Sequence, residues 1–110
     1  MLKNLTEKYI HLFTTRNLSG IDSMLANDFI LEDPVIKRIE GKTEAIKAIK
    51  AIFDSCQDLS FSAKNIYVDG NTTLVEFSLK LDNVMLTGVD IIEWSEGKMQ
   101  QIRAYLDIPK

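Results

Sequence analysis

Two adjacent carboxylates close a short apolar run and precede a proline in the segment Phe29-Ile30-Leu31-Glu32-Asp33-Pro34-Val35. Proline fixes its own φ and disfavours the helical conformation in the residue before it, so Asp33 is predicted to end a strand. Successive side chains of a strand point to opposite faces, so one of Glu32 and Asp33 is predicted to face solvent and the other the interior. A carboxylate in an apolar interior is costly unless it has a partner or a chemical task.

Two further polar groups fall in apolar surroundings. Alternation puts Asp90 on one strand face with four apolar residues, Val84, Leu86, Ile92 and Trp94. Desolvation on such a face raises the pKa of a carboxyl group, which can keep it neutral and able to donate a hydrogen bond. Tyr9 lies in the middle of the apolar stripe of the first predicted helix.

Each of these residues also has a purely structural explanation. A buried tyrosine commonly donates its hydroxyl hydrogen bond to a backbone carbonyl. An aspartate before a proline commonly only forms a turn. A single aspartate in a strand can face a water-filled end of the sheet or a partner subunit. Taken one at a time, Tyr9, Asp33 and Asp90 therefore do not define a site.

The elements that must position these residues begin with helices. Apolar residues at helical spacing predict a helix over residues 2–16, with a stripe of Leu2, Leu5, Tyr9, Leu12 and Phe13. A second, short helix is predicted from Ser19 as N-cap, and it ends at the pair Asn27-Asp28. A turn or short strand pair is predicted for residues 37–42. A third helix is predicted from Thr43 as N-cap to about residue 56.

The second half of the chain changes to a period of two, with turn signals at residues 69–71 and 95–97. The clearest half-buried strand alternates polar residues with Val75, Phe77, Leu79 and Leu81. The next strand is apolar on both faces, and a last strand covers residues 99–107. Three helices followed by an antiparallel meander predict an α+β domain with helices packed on a curved sheet.

One sheet face is left without helical cover in this arrangement. A strand that is apolar on both faces needs cover on both. The helices cover one face, so the other, with Met85, Val89 and Ile91, is expected to meet a second subunit and form a homodimer.

Composition excludes several other classes of protein. A chain of 110 residues predicts one domain over residues 1–110, and a net charge of −3 gives no reason to expect nucleic acid as a partner. The first residues are not expected to form a signal peptide, and no apolar run approaches the roughly 20 residues that cross a bilayer. Cys56 is the single cysteine, which excludes an internal disulfide. A soluble, cytoplasmic protein without a membrane partner is the expectation.

The order and spacing of these residues resemble the ketosteroid isomerase branch of the NTF2-like (SnoaL-like) superfamily over nearly the whole chain. In those isomerases a first-helix tyrosine stands 24 residues before the aspartate of a Glu-Asp-Pro-Val segment, as Tyr9 and Asp33 do here. A second aspartate, in the penultimate strand, matches Asp90. The resemblance also rests on the segments Leu25-Ala26-Asn27-Asp28, Gly41 to Ile46, and Gly97-Lys98 with Ile102-Arg103-Ala104.

The resemblance implies a cystatin/NTF2-like fold with a conical pocket, and roles for the three residues. Asp33 would be the general base of a double-bond isomerisation. Tyr9 and protonated Asp90 would donate hydrogen bonds to the dienolate oxygen. Ketosteroid isomerase is a well-known example of an enzyme that keeps one carboxyl group ionised and another protonated. No metal or cofactor is implied. An apolar substrate pocket is expected from Phe29, Leu31, Ile52, Phe77, Leu86, Ile92, Trp94, Ile102 and Leu106.

One position departs from the isomerase pattern. Those enzymes carry on the third helix a tyrosine that hydrogen-bonds the catalytic tyrosine, and Lys50 aligns there, between Ile49 and Phe53. A cation near Tyr9 is expected to alter its acidity. The loss of that tyrosine favours the alternative of a non-catalytic homodimeric module that binds a small apolar ligand or a protein partner. Glu32 is expected to be solvated, and His11 peripheral.

Overall fold

Three helices and six strands make up residues 1–107, the part of the chain that the computed structural model describes. The helices are α1 (Leu2–Thr14), α2 (Leu18–Met24) and α3 (Lys42–Asp54). The strands are β1 (Leu25–Asp33), β2 (Lys37–Glu40), β3 (Leu59–Asp69), β4 (Thr72–Leu81), β5 (Val84–Ser95) and β6 (Lys98–Asp107). The predicted α+β order is confirmed. The predicted domain of residues 1–110 includes three residues that lie outside the described part.

All six strands belong to one sheet, in the order β2-β1-β6-β5-β4-β3. Neighbouring strands are antiparallel except for β1 and β6, which are parallel. The pairing of β1 with the last strand brings the end of β1 two strands away from β5. Because neighbouring strands lie about 4.8 Å apart, residues at one level of β1 and β5 are separated by about 10 Å.

The helix α1 begins at Leu2 as predicted, but α2 and α3 begin at different residues from those that the sequence predicted. The N-cap of α2 is Asn17, not Ser19, because the Asn17 side chain accepts a hydrogen bond from the Gly20 N–H at 2.9 Å. The cap residue of α3 is Gly41, at φ 95°, and Thr43 lies inside the helix without capping it. Both errors come from a choice between neighbouring candidate cap residues that only the loop conformation decides. No helix within residues 1–107 is long and apolar enough to cross a membrane.

The core lies between α1, α3 and one face of the sheet, which we call the inner face. The inner-face residues of β4 alternate as predicted, with Thr73, Val75, Phe77 and Leu79 buried. Five aromatic rings form an aromatic cluster in this core, with centroid separations of 5.0 to 6.2 Å: Tyr9, Phe13, Phe53, Phe61 and Phe77. Full burial of one such apolar side chain contributes roughly 1.5–3 kcal/mol, so the cluster is a principal source of stability.

A buried polar network holds α1 to the opposite part of the inner face. The Trp94 Nε1–H donates to Thr73 Oγ1 at 2.9 Å, and the Thr73 and Thr6 hydroxyls lie 3.0 Å apart. Thr6 Oγ1 in turn donates to the Leu2 carbonyl oxygen at 2.8 Å. All three side chains are buried. This threonine–tryptophan network is therefore a structural link, with each polar side chain in a hydrogen bond.

Candidate active site

Asp33 is the last residue of β1, and its carboxylate is fixed by the turn that follows. Its Oδ1 accepts hydrogen bonds from the backbone N–H groups of Val35 at 2.8 Å and Ile36 at 3.0 Å. Pro34 favours this turn because its own φ is fixed. The Lys37 ammonium closes the turn by donating to the Pro34 carbonyl oxygen at 3.0 Å. One carboxylate oxygen is thus held by the backbone, and Asp33 stays half-buried at the cavity described below.

Asp90 occupies the middle of β5 on the inner face and is 6% exposed. It pairs with Ala104 of β6, and the register of Glu32 with Arg103 puts Asp33 beside the same Ala104. Asp33 and Asp90 therefore flank one small side chain. Burial, and secondarily the negative charge of Asp33, raises the pKa of the Asp90 carboxyl to about 7.

Tyr9 projects from α1 into the same interior and is 5% exposed. Its ring packs edge-on against Phe13 and Phe61, with centroids 6.0 and 6.2 Å away. Burial first, and the nearby Asp90 second, raises the pKa of the Tyr9 phenol, so this hydroxyl remains a proton donor at neutral pH.

Tyr9, Asp33 and Asp90 all line one cavity of about 70 Å³. Its other lining residues are apolar: Phe13, Phe29, Leu31, Ile36, Ile49, Ile52, Phe61, Phe77, Leu79, Ile102, Ala104 and Leu106. Within residues 1–107, neither the Tyr9 hydroxyl nor the Asp90 carboxyl makes a hydrogen bond. Every fully buried side-chain oxygen in this part of the chain has a hydrogen-bond partner, so the oxygens of these two groups are not fully buried. Both polar groups therefore border the open space of the cavity.

The cavity is smaller along β5 than the sequence predicted. Phe29, Leu31, Phe77, Ile102 and Leu106 line it as expected, and so does Ile52. Leu86, Ile92 and Trp94 were predicted to line it and do not. Residues on one strand face are about 7 Å apart, so a cavity of this size meets β5 only at Asp90. Trp94 lies further along β5, where its indole is bonded to Thr73.

Several lining residues were not predicted as part of the site. Phe13, Ile49, Phe61 and Leu79 carry an apolar periodicity that predicts burial but does not distinguish a cavity wall from the rest of the core. Ala104 gave no signal in the sequence either, because only the pairing of β6 with β1 and β5 puts this small residue beside two carboxylates and leaves space between them.

Lys50 does not approach Tyr9. Its side chain is 60% exposed and forms an ion pair with Asp54 at 2.6 Å, one helical turn away. The expectation of a cation near Tyr9 is therefore wrong, because Lys50 is on the solvent face of α3. Its neighbours Ile49 and Phe53 are buried on the inward face of that helix.

Glu32 faces away from the cavity, as alternation requires. Its Oε1 accepts from the Arg38 guanidinium at 2.6 Å and from the Gln101 amide at 3.1 Å. The two adjacent carboxylates thus have separate environments. Among residues 1–107, no group of three or more His, Cys, Asp and Glu side chains is arranged to hold a metal ion.

Comparison with known proteins places the chain in a family. The family model of the SnoaL-like domain matches residues 6–102. No curated protein matches the chain.

Solved structures are similar in fold at low sequence identity. An NTF2-like protein of unknown function from Cytophaga hutchinsonii superposes with a TM-score of 0.85 at 14% identity, over 97% of this chain and 90% of that one. A candidate ketosteroid isomerase from Kribbella flavida gives 0.85 at 21%, over 97% and 78%. A steroid delta-isomerase from Pseudomonas aeruginosa gives 0.77 at 20%, over 96% and 78%. With this NTF2-like fold and a family match over most of its length, the chain belongs to the SnoaL-like domain family.

Proposed function

We propose that the protein catalyses proton transfer within an enone-type ketone, moving a double bond from the β,γ to the α,β position. The observation that supports this most directly is that Tyr9, Asp33 and Asp90 line one apolar cavity. A hydroxyl and two carboxyls in different environments at one apolar space are the parts that such a reaction needs.

Asp33 is the general base in this proposal. Its ionised carboxylate removes a proton from the carbon between the carbonyl group and the double bond, and the electron pair moves onto the carbonyl oxygen to give a dienolate. Asp33 then returns the same proton to the carbon at the far end of the dienolate. No net proton, electron or leaving group is exchanged, so the step needs no cofactor.

Tyr9 and Asp90 stabilise the dienolate. Both must be protonated to donate hydrogen bonds to its oxygen, and burial raises the pKa of each. In an apolar, water-poor cavity such donors act on developing charge more strongly than in water. The negative charge of Asp33 contributes to the raised pKa of Asp90. The ionised base therefore helps to keep Asp90 protonated, which is the form that donates a hydrogen bond.

The substitution Asp33→Asn tests the proposal. The asparagine oxygen can still accept the Val35 and Ile36 N–H bonds, so the turn is expected to remain, but the side chain can no longer take a proton. We expect kcat on a β,γ-unsaturated ketone to fall by at least about 10²–10⁴-fold. The conversion is measured by the absorbance of the conjugated product.

The matched control is Glu32→Gln, which neutralises the adjacent carboxylate on the other sheet face. This variant is expected to keep activity near the wild-type level, because Glu32 contacts Arg38 and Gln101 rather than the cavity. Equal rates for wild type and Asp33→Asn, or absence of turnover in both, would exclude the catalytic proposal.

A non-catalytic module that binds a small apolar ligand is the second candidate. It is favoured by the apolar residues that α3 directs inward: Ile49 lines the cavity and offers Tyr9 no hydrogen-bond partner. A binder of this kind would hold cavity ligands equally well in the wild type and in the Asp33→Asn variant, since no proton is moved.

A homodimer through the outer sheet face accompanies either function in our proposal. Met85 and Tyr105 expose 52% and 59% of their surface there, beside the half-buried Val89 and Ile91. Substitution of Met85 by glutamate is expected to shift the mass measured by sedimentation from two copies to one, because it would bury two charges in the interface. A wild-type mass of a single copy would contradict the proposal.

A further inference from the structure

The cavity volume restricts what the proposed reaction can act on. About 70 Å³ is less than half of the roughly 150 Å³ in which an engineered apolar cavity binds benzene. Sites for drug-sized ligands enclose about 300–1,000 Å³. The space beside Tyr9 and Asp90 therefore accepts a carbonyl group with a few adjacent carbons, and not a set of fused rings.

One aromatic side chain limits this space from the sheet side. Phe61 of β3 lies between three other rings of the aromatic cluster, with centroids 5.0 Å from Phe13, 5.2 Å from Phe77 and 6.2 Å from Tyr9. It is buried and lines the cavity next to the Tyr9 ring. A ligand that extended past Tyr9 in this direction would have to displace the Phe61 ring.

The backbone of Phe61 is held in place from α1. The Thr14 hydroxyl donates to the Phe61 carbonyl oxygen at 2.7 Å, and its oxygen accepts from the Phe61 N–H at 2.8 Å. With its backbone bonded to α1 and its ring packed on three others, Phe61 has little freedom to move aside. A packed interior resists such rearrangement.

The opposite side of the cavity is more accessible. Asp33, Ile36, Ile52 and Leu106 are half-buried there, so this side forms the mouth. A wider surface depression of about 460 Å³ shares Asp33 and Leu106 with the mouth, and four further charged side chains line it: Glu32, Lys37, Arg38 and Arg103. An apolar ring system that extended into it would contact charged groups, so it would gain less there than in an apolar cavity. Additional rings are therefore excluded on one side and contribute little affinity on the other.

We propose that the substrate is a small enone of at most one ring, and that Phe61 is the residue that sets this limit. The inference rests on the proposed function for the reaction, while the size limit itself also applies to a simple binder. The substrate end that carries the carbonyl lies between Tyr9 and Asp90, and the remainder lies toward the mouth beside Asp33.

Turnover of two ketones tests the size limit. We compare cyclohex-3-en-1-one with the four-ring β,γ-enone androst-5-ene-3,17-dione for the wild type, Phe61→Leu and Phe61→Ala. The wild type is expected to favour the one-ring ketone in kcat/KM, and Phe61→Leu to shift the ratio toward the four-ring ketone by at least about tenfold, a usual effect of a few carbon atoms in an apolar pocket. A wild type that favours the four-ring ketone would overturn the inference and leave the proposed reaction intact.

Phe53→Leu is the matched control. Phe53 is buried in the same aromatic cluster, with its centroid 5.0 Å from that of Phe13, but it does not line the cavity. The same loss of ring packing should lower stability comparably without changing the substrate ratio. An equal shift in Phe53→Leu and Phe61→Leu would contradict a specific role for Phe61.

Binding of phenols separates the size limit from catalysis. Phenol, 2-naphthol and estradiol present an oxygen like that of the dienolate on one, two and four rings, and their dissociation constants are measured by calorimetry or ligand-observed NMR. We expect the wild type to bind phenol most tightly per ligand atom and estradiol no better than phenol, and Phe61→Ala or Phe61→Leu to gain affinity for the larger two. Wild-type affinity that rises with ring number, or binding of none of them, would overturn the inference. Absence of turnover together with the expected binding order would exclude only the reaction.

Discussion

Two sets of buried polar groups on the inner face differ in the way their hydrogen bonds are satisfied. In the threonine–tryptophan network, the Thr6 and Thr73 hydroxyls and the Trp94 indole N–H bond to one another and to a backbone carbonyl. At the cavity, Tyr9 and Asp90 have no such partner among residues 1–107 and border open space. Since an unpaired buried polar group is costly, the first arrangement is built for stability and the second is open to a ligand.

Similar substitutions in the two sets should therefore have opposite consequences. Removal of a polar group from the network should lower stability and leave activity unchanged. Removal of a polar group from the cavity should lower activity and leave stability unchanged or higher, because a polar group without a hydrogen-bond partner contributes little to the stability of the folded protein.

Among substitutions in these two sets of polar groups, Tyr9→Phe is expected to have the largest effect on kcat. It removes one donor to the dienolate, and loss of one such donor costs about 10²–10³-fold in kcat. The free energy of unfolding should stay the same or rise, because the Tyr9 hydroxyl makes no hydrogen bond with residues 1–107 that the substitution would remove. Steady-state kinetics and urea denaturation measure the two values. A loss of stability without a loss of kcat would show that Tyr9, like the threonine–tryptophan network, serves stability and not catalysis.

Asp90→Asn is expected to change the dependence of stability on pH. In the unfolded chain the Asp90 carboxyl ionises near its ordinary pKa of 3.8, while the folded one keeps its proton up to about pH 7. The folded state binds the extra proton between these values, so the wild-type free energy of unfolding falls through this window and then levels off. Asparagine does not titrate, so the variant should gain stability relative to wild type as pH rises from about 4 to 7, by on the order of a few kcal/mol.

Urea denaturation of the wild type and Asp90→Asn at pH 5 and pH 8 measures this difference. The other titrating groups are common to both proteins, so their contributions cancel. A difference that does not depend on pH would mean that Asp90 is not held neutral by the fold. The alkaline decline of wild-type activity near pH 7, where Asp90 loses its donor proton, should also be absent from the variant if the amide N–H substitutes as donor.

Local sequence patterns were sufficient for the type and order of the elements and for the burial of Tyr9 and Asp90. They were not sufficient for every boundary, since α2 ends at Met24 and not at the predicted pair Asn27-Asp28. Alternation placed Asp90 on the inner face of β5 and Glu32 opposite Asp33, because the side-chain period of a strand does not depend on its partners. Helical spacing placed Tyr9 among buried residues for the same reason.

The outline of the cavity was not predictable in this way. It depends on the parallel pairing of β1 with β6, which brings residues more than 60 positions apart together and leaves Ala104 between two carboxylates. It also depends on where packing leaves space. Trp94 and Phe61 are both buried aromatic residues, but Trp94 belongs to the hydrogen-bonded network and Phe61 to the cavity wall.

Thr73→Val is the counterpart of Tyr9→Phe within the network. Valine keeps the shape of threonine but leaves the Trp94 N–H and the Thr6 hydroxyl without their shared partner. We expect the free energy of unfolding to fall by about 1–3 kcal/mol, with kcat within about twofold of wild type. A larger effect on kcat than on stability would show that the two sets of polar groups on the inner face are not independent.

The smallest effect is expected at Lys50, which the resemblance to ketosteroid isomerases aligned with a tyrosine of their third helix. Its exposed ion pair with Asp54 contributes about 0.3–0.5 kcal/mol at most, so Lys50→Ala should change stability by no more than that. The pH profile of kcat should also be unchanged, because the ammonium is in solvent rather than beside Tyr9.

The double variant Ile49→Tyr with Lys50→Ala is more informative, since residue 49 lines the cavity and a hydroxyl there would give Tyr9 a hydrogen-bond partner. If that hydroxyl increases kcat, the cavity responds to added polar contacts as an active site should; if it only lowers stability, Ile49 is best explained as part of the apolar wall.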